Sequence, residues 1–246
     1  MGGRLRWATC PRSHSDELRT THSMTSIGLV KEGHVHAALK RLYTAPGDVV
    51  EAHVDGYLVD ILRDGLIIEI QTSNFSSIHR KMRDLVQRHK VRLVHPVPAE
   101  RWLVKHPARG AVQRRRSPKH GGFEQVFEEL VSFPELLAHE NFEVEVVAIR
   151  EEEVRRPGSR RGRRSRGWTT VERRLLDVLD RRVLRVPSDL LDLLPPGLPD
   201  PFQTTHLAAS FGRPRWLAQK AAYCLKEAGV IVQVGKTGNA RIYSRC

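Results

Sequence analysis

Apolar residues recur at helical spacing through Val35, Ala38, Leu39 and Leu42, and Ala45-Pro46-Gly47 stops the run, so the organised part of the chain opens with a helix. The spacing then shortens to that of strands. Residues 49–54, 57–62 and 66–71 alternate as three short strands, separated by the dipeptides Asp55-Gly56 and Asp64-Gly65, both strong hairpin-turn signals. An antiparallel meander follows. Ser76 caps a second helix whose apolar face is Ile78, Met82, Leu85 and Val86, which leaves Arg80, Lys81, Arg83, Gln87 and Arg88 on the outer face. Residues 91–94 read as a buried strand and 102–104 as one more, and a helical crossover between the third strand and residues 91–94 permits parallel pairing. Arg114, Arg115, Arg116 and Lys119 read as a basic loop, residues 123–131 as helix, and 142–149 as an edge or half-exposed strand of alternating apolar residues and glutamates.

The C-terminal part reads as mostly helical. Leu175, Leu176 and Leu179, then Leu190, Leu191 and Leu194, suit two short helices, the second ended by Pro195-Pro196. Thr204-Thr205 starts another short helix, Phe211-Gly212 turns the chain, and Pro214 opens a longer helix with Leu217, Ala221, Cys224 and Leu225 inward. Arg215, Gln219, Lys220, Tyr223 and Lys226 then point outward, and Gly229 caps the helix. Two β-runs, 230–234 and 240–243, flank a turn-rich tip with Lys236 at its point.

These elements predict a mixed α/β (α+β) chain in four parts: a tail at 1–23, one domain at 24–154, an arginine-rich linker at 155–167 and a smaller domain at 168–246. The tail lacks apolar periodicity, and Met24 stands where organised sequence begins, as an alternative start. Residues 155–166 hold seven arginines among small residues and one proline, a composition that buries no core.

Charge narrows the partner. A formal net charge of +13 and a pI of about 10.3 favour a polyanion, nucleic acid first, because lysines and arginines gain by releasing counterions from phosphates. No apolar stretch approaches the ~20 residues of a membrane-spanning helix and no signal-like N-terminus is present, so the expected location is cytoplasmic, compatible with the nucleoid. Cys10, Cys224 and Cys246 are too few and scattered for a disulfide framework or a thiolate metal site. His34, His36, His79 and His89 form no zinc-like pattern, and Trp102 and Trp216 read as core or interface residues.

Carboxylates inside apolar strands are the feature that chemistry must explain. Asp60 and Glu69 lie on strands joined by the Asp64-Gly65 turn, which can bring both to one end of the sheet, where two carboxylates with water and substrate phosphates suit Mg²⁺ or Mn²⁺. Gln71 shares the face of Glu69. The bland alternative is structural pairing, Asp60 with Arg63 or another cation and Glu69 with a lysine. Asp55 reads as a turn former and Glu32 as a helix-start charge.

Asp60 followed by Glu69-Ile70-Gln71, set in a helix, three strands, helix, strand order, resembles the PD-(D/E)XK nuclease family with its restriction-endonuclease-like fold, over about residues 30–96. The resemblance implies a metal-dependent DNA endonuclease: Asp60 and Glu69 as metal ligands, Glu32 as an additional acid, and Gln71 where most members have lysine. Val59 replaces the proline ahead of the aspartate, and Lys81 is the lysine of the following helix that could substitute for the missing one. A neutral amide at 71 positions water only by hydrogen bonds.

Residues 168–246 resemble a winged helix-turn-helix domain. That implies Arg213, Arg215, Gln219 and Lys220 on or near a recognition helix and Lys236 and Arg241 on the wing; the alternative is a winged helix used for protein contacts. The expected function is therefore DNA cleavage, with a nuclease-like DNA-binding or regulatory protein lacking catalysis as the alternative. Cutting both strands calls for two sites, which a homodimer supplies.

Overall fold

The computed structural model describes residues 33–158 and 167–246, so the expectations for 1–23, Met24 and Glu32, and the central part of the arginine-rich segment, lie outside the described residues. Helix α1 (His34–Tyr43) buries Val35, Leu39 and Tyr43, one face at four-residue steps, while Leu42 is exposed. Strands β1 (Val49–Val54), β2 (Tyr57–Arg63) and β3 (Leu66–Ile70) form the expected antiparallel meander. Its two turns place Asp55 and Gly56 at φ 48° and 82°, and Asp64 and Gly65 at 45° and 84°. Left-handed conformation at both central positions matches strand twist, and Asp-Gly tolerates it best. A 3-10 turn (Phe75–Ile78) leads into α2 (His79–Val86), and β4 (Lys90–Lys105) returns parallel to β3.

Beyond α2 the structure differs from the pattern reading in four places. The two short strands expected at 91–94 and 102–104 are one strand, β4, which carries Pro96 and Pro98 because β3 pairs only as far as Val94, leaving the prolines with β6 (Phe142–Pro157) on one side alone. The expected basic loop at 114–116 is strand β5 (Gln113–Arg116), paired with Trp102–Lys105. Strand β6 is central rather than at an edge, with β4 parallel on one side and β7 (Trp168–Leu184) antiparallel on the other. Its three buried glutamates are each paired: Glu145 with the Tyr43 hydroxyl at 2.5 Å, Glu151 with Arg101 at 2.6 Å and Glu153 with Arg155 at 2.9 Å, while Glu143 and Glu152 are half-buried.

The fourth difference is the largest. The helix expected around Leu175, Leu176 and Leu179 is β7, a 17-residue edge strand. Register shifts against β6 leave Val171, Leu176 and Leu179 without opposite partners, and each such bulge inserts one residue into the alternation. Leu175 and Val178, three apart, therefore pack into the same core beside α1. Three-residue spacing imitates a helix face. The described ends of the segment expected as an interdomain linker, 155–158 and 167, thus continue two paired strands of one sheet, and the described residues from 33 onward belong to a single compact unit.

The remaining chain adds α3 (Phe127–Leu130) after a 3-10 turn (Phe123–Val126), a 3-10 turn at Pro187–Leu193, β8 (Phe202–Gln203), α4 (Thr204–Phe211), α5 (Arg215–Glu227), β9 (Ile231–Thr237) and β10 (Ala240–Arg245). The small sheet has the order β8-β10-β9, and Gly212 and Gly229 end α4 and α5 at φ 60° and 74°. Among the described residues no helix is long and apolar enough to cross a membrane.

Two cores flank the large sheet. The α1 side is a small cluster of Val35, Leu39, Ile61, Ile68, Ile70, Val94, Val147 and Ile149. The other runs unbroken from Val59 and Ile67 through Phe75, Met82, Phe127 and Phe133 to Leu217, Leu225 and Tyr243. Because the C-terminal elements share that core, thermal unfolding of the chain is expected as one transition by circular dichroism and fluorescence alike. Phe133→Ala, which removes a fully buried ring stacked 5.4 Å from Phe75, should cost about 3–5 kcal/mol; two separate transitions would contradict a shared core.

Candidate functional site

The antiparallel ladder between β2 and β3 ends at Ile61 opposite Ile68, one step short of Asp60 and Glu69. There the side chains take over from the backbone. The Ile70 N–H donates to Asp60 Oδ2 at 2.9 Å, and the Asp60 N–H points at Glu69 Oε2 at 3.4 Å. Each carboxylate thus meets a main-chain amide of the other strand, so their mutual position is set by the sheet and not by side-chain freedom.

Cations reach this gap from both helical layers. Helix α1 presents His36 and Lys40, four apart and therefore on one face: His36 Nε2 lies 3.1 Å from Asp60 Oδ2, and Lys40 Nζ lies 3.5 Å from Asp60 Oδ1 and 3.0 Å from Glu51. From α2, Lys81 turns toward the sheet, against the outward position its spacing predicts, and donates to Glu69 Oε1 and the Leu58 carbonyl, both at 2.6 Å. Its long methylene stem lets the ammonium leave the polar face and reach a buried carboxylate. The side chains of Asp60, Glu69 and Lys81 are 13%, 8% and 15% exposed, so the acids lie under the rim and not in open solvent.

The environments push the two acids apart. Burial alone would raise the Asp60 carboxyl, but the His36 hydrogen bond, the Ile70 N–H and the charges of His36 and Lys40 outweigh it and hold it below its usual range. Burial raises Glu69, the Lys81 charge offsets this only in part, and the negative Asp60 adds to the rise. Among the described residues no three of His, Cys, Asp and Glu group as a metal cage.

The other expected site residues fall elsewhere. The Gln71 amide donates to the Ser73 carbonyl at 2.6 Å, so it is turned toward the loop before α2; its own carbonyl accepts from His95 Nδ1 at 2.8 Å. Arg63 forks onto Asp48 at 2.8 and 2.9 Å rather than onto Asp60, and this holds the Asp48 carboxyl down to about 2. Asp55 shapes its turn and meets His89 at 3.0 Å. At the C-terminal end, Arg213 bonds Glu124 at 2.7 Å and Lys220 bonds the Glu128 carbonyl at 2.7 Å, so both face α3 and the turn before it. Arg215, Gln219 and Arg241 instead line a groove of about 420 Å³ between α5 and β10, with Thr204, Tyr223, Lys226 and Asn239. Lys236 is exposed on the hairpin.

By spacing alone His36 reads as one of four histidines without a zinc-like pattern, and Lys40 is not among the expected site residues. Their i,i+4 spacing on the polar side of α1 was the available signal, but it has no meaning until α1 is known to cross the end of β2.

Residues 33–185 match a family model described as a domain of unknown function (DUF8091), and the chain belongs to that family. The match runs from the start of α1 to the end of β7, so the whole large sheet and the charged gap fall inside it. An uncharacterised protein of Treponema pallidum (strain Nichols) is 28% identical over 223 residues, which is 89% of this chain and 88% of that one. No solved structure matches the chain.

The Glu69–Lys81 pair is open to a direct test. Glu69 sits above its ordinary range in the fold, so its ionisation opposes stability, an effect absent below the unfolded-state value and growing as pH rises through the folded one. Lys81→Met leaves that carboxylate without its cation and is expected to cost about 3 kcal/mol at neutral pH, shrinking toward zero below about pH 4. Denaturant melts across pH measure it, and a pH-independent loss would show that Lys81 acts through packing alone.

Proposed function

We propose that this chain is a metal-dependent nuclease acting on DNA, with Asp60 and Glu69 as its acidic pair and Lys81 as the cation beside them. The observation that carries the reading is the meeting of two carboxylates at the end of a strand ladder, each on a main-chain amide of the other strand, with Lys81 Nζ 2.6 Å from Glu69; their surroundings also hold Asp60 low and push Glu69 up. Two titratable groups driven apart by their surroundings are the arrangement that acid–base and ligand chemistry requires. The order α1, β1, β2, β3, α2, β4, with β3 and β4 parallel, agrees with the restriction-endonuclease-like core that the Asp60…Glu69-Ile70-Gln71 motif resembles.

The donor chemistry fits Mg²⁺ or Mn²⁺. Asp60 Oδ1 and Glu69 Oε2 are hard oxygens on one gap, and such cations are held by one or two carboxylates with water and substrate phosphate completing the shell. When bound, the metal supplies an activated water and charge stabilisation at the phosphate. The chain's own residues do the rest. His36 and Lys40 keep Asp60 ionised, the sheet amides keep the two acids in register, and the Lys81 ammonium stands where negative charge develops on the phosphate oxygens. Gln71, held by the Ser73 carbonyl, has no part in this scheme, and Lys81 takes the place that the resemblance gives to lysine.

The order of a 3-10 turn, β8, α4, α5 and the β9–β10 hairpin supports a winged helix-turn-helix reading of the C-terminal region, and a net charge of +13 supports a nucleic-acid partner. A second reading is a DNA-binding protein without catalysis. It is favoured by one observation: Asp60 and Glu69 already have cationic neighbours, His36 and Lys40 on one side and Lys81 on the other.

Supercoiled plasmid incubated with the protein separates the two. The nuclease reading predicts nicking or cutting that needs Mg²⁺ or Mn²⁺, falls at least about 100-fold in Asp60→Asn and Glu69→Gln, and falls a further or similar 10²–10³-fold in Lys81→Ala. The metal concentration for half-maximal cutting should rise as pH falls, since protons compete for Glu69. Binding with no cutting under either metal establishes the second reading.

A further inference from the structure

The groove between α5 and β10 poses a question of shape. Helix α5 buries Leu217, Ala221, Cys224 and Leu225 on one side and Ala218 and Ala222 beside them, while Arg213 and Lys220 are drawn toward Glu124 and the Glu128 carbonyl. Of the residues α5 leaves exposed, Arg215, Gln219, Tyr223, Lys226 and Glu227 line the groove, faced by Asn239 and Arg241 of the hairpin, while Trp216 is exposed beside them. A helix that reads duplex bases must stand clear of its neighbours to enter a major groove about 12 Å wide. This one is the floor of a trough.

We propose that the α5–β10 groove holds a single DNA strand, with a base stacked on Tyr223 and phosphates on Arg215 and Arg241. Tyr223 is 49% exposed on the groove floor, a flat aromatic face where stacking needs no particular base. Arg215 and Arg241 make no ion pair among the described residues, whereas Lys226 is engaged with Glu227 at 3.1 Å. Two guanidiniums without ion pairs among the described residues, one from α5 and one from the hairpin, line the same groove as the Tyr223 ring, and the groove's volume of about 420 Å³ suits a few nucleotides of one strand. Gln219, Thr204 and Asn239 offer hydrogen-bond groups that suit any sequence. The inference rests on the reading of the chain as acting on DNA and names the form of DNA the groove takes: an unpaired strand.

Fluorescence anisotropy on the full chain in EDTA, where nothing is cut, tests it with a labelled oligo-dT of roughly 12 nucleotides against a blunt duplex of the same length. The strand is expected to bind at least about tenfold tighter than the duplex. Tyr223→Ala should weaken strand binding about tenfold or more while Tyr223→Phe retains it. Arg215→Ala and Arg241→Ala should each reduce the slope of log affinity against log salt by about 0.7. Duplex binding equal to or tighter than strand binding overturns the proposal, as does a strand affinity indifferent to Tyr223→Ala in a folded protein. The outcomes are separable from those for cleavage. Tyr223-dependent strand binding in a protein that cuts nothing upholds the groove and removes the nuclease, and metal-dependent cutting with no strand preference does the reverse.

Discussion

The arrangement at the end of the β2–β3 ladder sets the rest of the account. Main-chain pairing stops after Ile61 and Ile68, and the Asp60 carboxylate accepts the next amide, that of Ile70. A side chain that completes a strand ladder is held as firmly as the backbone it replaces. Its neighbours then come from opposite layers: His36 and Lys40 from α1, Lys81 from α2. The charged cluster therefore exists only when both cores have packed, the one that holds Leu39 and Ile68 and the one that holds Met82 and Ile67.

Such a cluster is a poor way to gain stability. Removing two charges from water costs several kcal/mol each, and well-packed apolar residues in their place are often neutral or better. The sheet holds other buried acids, but these are fully committed: Glu153 is held low by Arg155, Thr170 and Arg101 against the effect of burial, and Glu145 meets Tyr43, Arg92 and Arg181. Glu69 differs, since burial still prevails over its one cation. A carboxyl kept at a disadvantage beside another kept ionised is a departure from packing rules of the kind that functional sites show.

Much of this was legible in the residues. The meander, both Asp-Gly turns, the α2 crossover and the α4–α5–hairpin order follow from local signals that tertiary contacts do not override. Asp60 and Glu69 stood out because strands rarely bury acids. What failed was what depends on long-range pairing. The bulges at Val171, Leu176 and Leu179 turned a strand's period of two into helical spacing, and the glutamates of β6 looked solvent-facing because their arginine partners lie on β4, β6 itself and β7. Lys81 looked outward by periodicity, yet its stem carries the ammonium inward to Glu69. Arg213 and Lys220 looked like recognition residues because nothing local tells an outer helix face from one covered by Glu124 and α3.

The central claim is that Asp60 and Glu69 together hold one divalent cation. Titration of the full chain with Mn²⁺, followed by the loss of the free-ion paramagnetic resonance signal, measures this without any substrate. One site per chain is expected, weakened at lower pH and abolished separately by Asp60→Asn and by Glu69→Gln in folded protein. A chain that binds no Mn²⁺, or binds it equally well with either acid neutralised, contradicts it.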